Sequence, residues 1–277
     1  MWSRVALRHG RTLSRTFTSS YPKPYSVPDG PVGQNRAARL ELAAAYRGLD
    51  LLGLNEGVSN HLSAIAPKAD GNGEIMLVFN QGLHWNEVTA SNLVGLDMTG
   101  QTVEGTGAPE TTASCIHISI HKSRPDIRVV MHTHQPYATT LASLQDDFKM
   151  ELVHQNSLRF WNRIAYDTTY SGVAYAFEEG ERMAKILGDK DVLMLANHGV
   201  IAVAPTVSMA FEMLYYLERA SMVQLLGMST QKKMRTIPEA VPKAMFNEYM
   251  KRAQTYADDF FYAIYRQLKM SQPSFES

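Results

Sequence analysis

The sequence has little cysteine, no net charge and no long apolar run. Its 277 residues include one cysteine, Cys115, which cannot form an internal disulfide and favours a reducing compartment. Lys+Arg and Asp+Glu both number 27, so there is no basic excess of the kind that nucleic-acid binding uses. A membrane-spanning helix needs roughly 20 apolar residues, and the longest candidate, residues 192–205, is interrupted by Asn197 and His198. We therefore expect no nucleic-acid partner and no membrane span.

The first 28 residues also lack acidic side chains, since the first carboxylate is Asp29. Four arginines, at positions 4, 8, 11 and 15, stand among serines, threonines and isolated apolar residues. An Arg-rich, Ser-rich and acid-poor start is typical of a mitochondrial transit peptide, although a basic tail has the same composition. We predict a transit peptide over residues 1–20 and a location in the mitochondrial matrix. Residues 21–33, rich in Pro and Gly, are predicted to form an extended arm.

Apolar periodicity beyond the arm alternates between helical and strand spacing, which indicates an α/β domain over residues 34–228. Helices are predicted over residues 34–54 and 110–121, and strands over 61–66, 74–79 and 92–97. Residues 150–175 are predicted to hold two short strands. A C-terminal loop and helix complete the chain over residues 229–277, and the apolar stripe of that helix (residues 244–270) is a candidate for packing against a second subunit.

Two histidines stand two residues apart at the end of an apolar run, Arg128-Val-Val-Met-His-Thr-His134. Side chains of a strand repeat with period 2, so His132 and His134 are predicted to emerge on one face. His198 follows a second apolar run and precedes Gly199, a residue suited to a tight turn. Three neutral imidazoles with an open fourth position describe a catalytic metal site rather than a structural one.

The order of these motifs resembles the class II aldolase and adducin head family. The resemblance rests on residues 114–134, which include His117, Ser123-Arg-Pro-Asp126 and Val130-Met-His-Thr-His134, and on Ala196-Asn-His-Gly-Val200 before Met213-Leu-Tyr-Tyr-Leu-Glu-Arg-Ala220. It implies a three-layer α/β/α fold with a central, largely antiparallel sheet, usually in homotetramers. It also implies that His132, His134 and His198 hold a divalent metal, most simply Zn²⁺, which polarises a carbonyl and stabilises an enediolate.

The chain departs from the aldolases at functional positions. These enzymes carry an acidic residue ten positions before their Ser-Arg-Pro-Asp stretch, where this sequence has Ala113. Glu110 lies one helical turn earlier and is a candidate replacement, with a first-turn helix acid as the alternative interpretation. His117, one turn beyond, is a candidate proton carrier or fourth ligand. His61 is a candidate for the pocket wall.

The phosphate-gripping motifs of the sugar-phosphate enzymes are also altered, because Asn60-His61 and Gln81-Gly82 replace them. The replacements resemble the corresponding motifs of adducin heads, so the sequence does not specify a phosphosugar as substrate. The function predicted is a metal-dependent lyase acting on a small hydroxy-carbonyl substrate. Two alternatives stay open: a non-catalytic, adducin-like oligomeric scaffold, and an Fe²⁺-dependent oxygenase or decarboxylase, since three imidazoles also bind iron.

Overall fold

A computed structural model describes residues 21–145, 149–170, 172 and 176–277. The predicted transit peptide, residues 1–20, lies outside the described residues. The chain folds around a central mixed sheet with helices on both sides. No described helix contains a stretch apolar enough and long enough to cross a bilayer.

The sheet has eight strands within the described residues, in the order β4-β3-β2-β1-β5-β8-β7-β6. Neighbouring strands are antiparallel except β6 and β7, which are parallel. The predicted largely antiparallel α/β architecture is therefore confirmed. The strands are β1 His61–Pro67, β2 Glu74–Val78, β3 Val94–Leu96, β4 Thr102–Glu104, β5 Val129–Thr133, β6 Ile164–Asp167, β7 Val192–Leu195 and β8 Gly199–Ala204.

Seven α-helices surround the sheet in the described part of the chain. They are α1 Pro31–Leu51, α2 Thr111–Ser123, α3 Pro136–Ala142, α4 Phe177–Leu187, α5 Val207–Ser229, α6 Pro242–Met250 and α7 Ala253–Ser271. The described residues also form three short 3-10 segments, at Trp85–Glu87, Gln155–Phe160 and Pro273–Glu276.

Each face of the sheet has its own core, because strand side chains alternate between faces. Alternate residues of β5 separate in this way: Val129 and Met131 join the large core beneath α1, α3, α5 and α7. Val130 joins a smaller core with Ile116, Ile120 and Met183 from α2 and α4. His132 follows Val130 in this alternation and therefore lies on the α2/α4 face.

The structure changes several sequence-based boundaries. Helix α1 begins at Pro31 rather than at residue 34, because Gly30 adopts φ 85° and Pro31 suits the first helical turn. Residues 155–160 form a 3-10 helix, so the described part of residues 150–175 contains one strand, β6, instead of two. The predicted terminal helix is two helices, α6 and α7, and Ile264 and Leu268 of its stripe are buried within their own chain.

Candidate metal centre

Three adjacent strands bring the predicted metal ligands together. His132 lies on β5 and His134 follows the end of that strand. Strand β5 pairs with β8, which His198 immediately precedes in the turn from β7. In this turn the His198 N–H donates to the Leu195 carbonyl, and Asn197 takes φ 55°, a conformation that asparagine tolerates better than most residues.

The three imidazoles converge on one point. One ring nitrogen from each of His132, His134 and His198 lies within 4.8 Å of the others. The Nε2 atoms of His132 and His134 are 3.1 Å apart. Two nitrogens at the corners of a zinc tetrahedron lie about 3.3 Å apart, given Zn–N bonds of about 2.0–2.1 Å. The His132–His134 pair therefore has the spacing of two zinc ligands, and a His198 nitrogen lies within 4.8 Å of both.

Hydrogen bonds to the other ring nitrogens fix how two of these imidazoles are oriented. Nδ1 of His132 lies 3.0 Å from the carbonyl oxygen of Val200, which can only accept, so this nitrogen carries the proton. Nδ1 of His134 lies 2.5 Å from a carboxylate oxygen of Glu56. With both Nδ1 atoms committed to these partners, the two Nε2 atoms face each other at 3.1 Å, an arrangement that a cation between them stabilises. The donor set thus fits a divalent metal.

Burial favours the neutral form of two of these imidazoles, those of His132 and His198. Removal from water, reinforced by the neighbouring imidazoles, holds the pKa of His132 well below its ordinary value. The same causes, burial first and His134 second, lower the pKa of His198 to about 4. Neutral imidazole is the form that binds metal.

Gly199 allows His134 to lie against the backbone of β8. A Cβ atom at position 199 would stand 2.5 Å from Cδ2 of His134 and 2.6 Å from the Thr133 carbonyl oxygen. The glycine is therefore required by this close approach. The predicted tight turn forms over residues 196–198, but its left-handed residue is Asn197 rather than Gly199.

The histidines border a cavity of about 450 Å³, which Glu110, Thr112 and His61 also line. Glu110 is the N-cap residue of α2, which begins at Thr111, one residue after the predicted start. Its carboxylate accepts from the Ala113 N–H at 3.0 Å and from the Thr112 hydroxyl. The structure therefore places Glu110 on the pocket wall while the carboxylate also caps a helix. Ala113, at the position of the missing acid, is fully buried.

His117 lies behind the pocket wall rather than on it. Its Nε2 is 2.7 Å from Nδ1 of His61, and the His61 ring stands next to His132 with a centroid separation of 5.0 Å. His61 thus separates His117 from the metal cluster. Of the two further candidates, the structure brings His61 to the pocket and places His117 one hydrogen bond away.

Two contributors to the site were missed by the sequence interpretation. Glu56 orients His134, and Asn60, at φ 68°, accepts from the His134 N–H at 3.1 Å through Oδ1. Both precede β1 and reach His134 because β1 pairs with β5 in a register that places His61 opposite His132. No local signal reveals that register, since it depends on long-range strand pairing.

A larger cavity, of about 620 Å³, lies between α5, α6 and α7. No histidine or cysteine lines it among the described residues. Its buried acid, Glu212, accepts from Arg159 at 2.6 Å and from the Tyr249 hydroxyl at 2.7 Å. Because these groups are already satisfied by one another, the smaller cavity is the better candidate for catalysis.

Comparison with known proteins agrees with this geometry. The family model described as Class II Aldolase and Adducin N-terminal domain matches residues 40–225. The chain belongs to this family. The predicted resemblance is thereby confirmed, and with it the fold.

Individual relatives point in two functional directions. A solved aldolase II superfamily protein from Pseudomonas syringae superposes with a TM-score of 0.79 at 30% identity, covering 88% of this chain and 96% of that one. An adducin-related protein of Schizosaccharomyces pombe is 34% identical over 68% of this chain and 58% of its own length. Human beta-adducin is 28% identical over 70% of this chain and 26% of its own length. The chain thus corresponds to only part of these two relatives.

Proposed function

We propose that this chain is a divalent-metal-dependent lyase of the class II aldolase type, acting on a small hydroxy-carbonyl substrate. The observation that carries the proposal is the convergence of His132, His134 and His198 within 4.8 Å at the wall of a 450 Å³ cavity. Three protein nitrogens leave a coordination position for substrate, which is characteristic of catalytic sites. The cavity is of a size that suits a small molecule.

The residues of the pocket support this chemistry in separate ways. When bound, a divalent metal supplies a Lewis acid that polarises a carbonyl and stabilises the negative charge of bond cleavage. Val200 and Glu56 orient the His132 and His134 rings through their Nδ1 protons. Glu110 is the carboxylate nearest to the missing acid along the helix, and we assign it the proton-carrier role. Phe79 and Ile116 supply apolar wall that limits water.

Zinc is the metal we expect, since three imidazoles suit it, although iron binds the same donors. We also propose a homotetramer, as the family resemblance implies. The acid-poor N-terminal segment, residues 1–20, supports a proposal that the chain is imported into the mitochondrial matrix.

Elemental analysis of the purified chain tests the proposal. Near one zinc per chain is expected in the wild type, and none in the His132→Ala, His134→Ala double variant. His154→Ala is the matched control, because this histidine lies at the start of a 3-10 segment outside the cluster, and its metal content should equal that of the wild type. Equal zinc in the double variant would contradict the assigned ligands. Iron in place of zinc would direct the search to oxygen chemistry.

A specific observation also favours the scaffold alternative. Position 113, where the aldolases carry their acid, is a fully buried alanine, and adducin-related proteins are among the relatives. If neither the wild type nor the double variant binds metal, a non-catalytic oligomeric scaffold becomes the leading function. Metal together with turnover of a hydroxy-carbonyl compound would exclude it.

A further inference from the structure

A continuous chain of buried polar side chains runs from the pocket into the interface between α2 and the sheet. Nδ1 of His61 lies 2.7 Å from Nε2 of His117, and Nδ1 of His117 lies 2.5 Å from Oγ of Ser63. Ser63 Oγ lies 3.1 Å from Nε2 of His121, whose Nδ1 lies 3.3 Å from the carbonyl oxygen of Ile127. All four side chains are at least 94% buried. The proposed metal chemistry does not require polar side chains this far behind the pocket wall.

Local geometry explains how the chain forms. His61 and Ser63 are two residues apart on β1 and therefore share one face of the strand. His117 and His121 are four apart on α2 and share one face of that helix. The two faces meet, so strand and helix residues alternate along the hydrogen-bonded path. Both elements are otherwise covered by apolar side chains, which makes each of these bonds costly to leave unmade.

The carbonyl at the inner end sets the direction of every hydrogen bond. Ile127 O accepts only, so His121 donates from Nδ1, and burial holds the pKa of His121 at about 4, so its Nε2 is unprotonated. Ser63 then donates its single hydroxyl proton to His121 and accepts from Nδ1 of His117. Burial keeps the pKa of His117 well below its ordinary value, so its Nε2 accepts from Nδ1 of His61.

The outer end of the chain is the pocket. With Nδ1 of His61 committed as a donor, the remaining lone pair is on Nε2. Thr112 Oγ1 lies 3.4 Å from this nitrogen, but the Thr112 hydroxyl donates its one proton to the Glu110 carboxylate. His61 is also outside the group of three histidines whose nitrogens converge. Its Nε2 is therefore an available acceptor on the wall of the cavity.

We propose that the Ile127 carbonyl, acting through His121, Ser63 and His117, fixes His61 as the Nδ1–H tautomer, so that Nε2 accepts a hydrogen bond from a hydroxyl group of the bound substrate. His61 contacts the substrate in this proposal, and the other three side chains are positioning residues. The choice of a hydroxyl-bearing ligand rests on the proposed function; the tautomer does not. This hydrogen-bonded relay of His61, His117, Ser63 and His121 explains why a histidine stands where the sugar-phosphate enzymes have no such residue.

The tautomer is measured directly by long-range ¹H–¹⁵N correlation NMR of the purified chain with ¹⁵N-labelled histidine. We expect a protonated Nδ1 and an unprotonated Nε2 for His61, with its signals assigned by their loss in His61→Gln. A protonated Nε2 in the wild type would overturn the proposal. This measurement needs neither turnover nor metal, so a chain without metal would refute the proposed function and leave this result standing.

Ser63 variants test whether the relay is the cause. Ser63→Ala removes the central hydroxyl and leaves Nδ1 of His117 without an acceptor, so a substantial fraction of His61 should change to the Nε2–H tautomer. Ser63→Thr keeps the hydroxyl and should keep the wild-type tautomer. A His61 that stays wholly Nδ1–H in Ser63→Ala would show that the relay does not fix it. The wild-type spectrum remains decisive if either variant fails to fold.

Hydroxyacetone and acetone are matched probes for the acceptor role, because they differ by one hydroxyl group. In the wild type, hydroxyacetone should shift the His61 Nε2 resonance and bind with a Kd roughly fivefold lower than acetone, as one added hydrogen bond implies. In Ser63→Ala this preference should shrink. Equal shifts from both probes, or no shift from hydroxyacetone, would overturn the assignment.

Discussion

At the scale of single residues, the tightest constraint on the metal centre is the missing side chain at Gly199. A methyl group there would stand 2.5 Å from the His134 ring and 2.6 Å from the rigid Thr133 carbonyl. We expect Gly199→Ala to displace His134 and to lower zinc affinity at least tenfold, measured by competition with a chromophoric chelator. Gly199 follows the proposed ligand His198 and contacts His134. Changes to groups that orient metal ligands typically lower metal affinity 10–100-fold.

Gly227→Ala is the control for this substitution. It also adds a methyl group within 2.5 Å of other atoms, but these belong to the flexible end of Met234, which can move. Zinc affinity should stay at the wild-type value in Gly227→Ala. Unchanged affinity in Gly199→Ala as well would contradict the required close approach.

Glu110 is the residue on which turnover should depend. Glu110→Gln keeps the size and the ability to accept from the Ala113 N–H, but removes the charge and the basic oxygen. We expect turnover of a hydroxy-carbonyl substrate to fall by at least 100-fold, the usual contribution of an acid–base group, with zinc content unchanged. Glu239→Gln, at an exposed position, should have wild-type activity. Retained turnover in Glu110→Gln would reject the proton-carrier role.

Sequence reasoning identified the three clustered histidines because their signal is local. His132 and His134 follow strand periodicity, and His198 follows an apolar run, so each is visible without knowledge of the fold. Glu56 was invisible because its contact with His134 spans 78 positions and depends on the pairing of β1 with β5. Orienting residues of this kind are set by register, which one sequence does not reveal.

At the scale of elements, features with a local sequence signal were again predicted, and features set by long-range contacts were missed. The strands with strong apolar runs were predicted, whereas β4, a three-residue edge strand with two exposed residues, was not. The break between α6 and α7 was also missed, because the apolar stripe continues across it. The Tyr249 hydroxyl of α6 donates to Glu212 of α5 at 2.7 Å, a contact between residues 37 positions apart in sequence. Tertiary bonds, not periodicity, set these boundaries.

Helix α3 depends on a carboxylate from another helix. Its own N-cap residue, Gln135, makes no side-chain cap, and Glu218 of α5 instead accepts from the Tyr137 and Ala138 N–H groups at 2.9 and 2.8 Å. This residue lies in the Met213–Ala220 motif that marks the family. A carboxylate at a helix N-terminus satisfies unpaired donors and the helix dipole.

We therefore expect Glu218→Ala to lower the free energy of unfolding by about 2–3 kcal/mol, since it leaves the buried Ala138 N–H and the partly buried Tyr137 N–H unpaired. Urea denaturation monitored by circular dichroism measures this change. Glu181→Ala, on the exposed face of α4, is the control and should alter stability by less than about 0.5 kcal/mol. A loss of similar size in both variants would contradict the capping role. Because α3 begins two residues after His134, zinc affinity should also fall in Glu218→Ala.

At the scale of the whole molecule, the buried histidines tie the function to the stability of the fold. The histidine cluster and the relay from His61 to His121 lie on the same face of the sheet, beneath α2 and α4. His61, His117, His121 and His132 are buried, whereas His134 and His198 are half-buried. A side chain that is neutral when buried must be protonated when the chain unfolds in acid. The buried histidines therefore make the fold sensitive to pH.

The direction of this sensitivity follows from the pKa values. Burial lowers the pKa of His121 to about 4 and that of His61 to about 3, against about 6.5 in an unfolded chain. Above pH 6.5 both states are neutral at these positions and the stability is complete. As the pH falls below 6.5, the unfolded chain takes up protons that the folded chain refuses, so stability declines until the folded pKa values are reached.

We expect the free energy of unfolding, measured with urea in the presence of a chelator, to fall between pH 7.5 and pH 5. Each pH unit below 6.5 should remove about 1.4 kcal/mol per histidine of this kind. His121→Gln replaces one titrating ring by a neutral side chain, so its stability should depend less steeply on pH, whatever its stability at pH 7.5. A free energy that is constant across this range would contradict the burial of neutral imidazoles. Excess zinc should steepen the wild-type decline, because protons then also displace the metal from His132, His134 and His198.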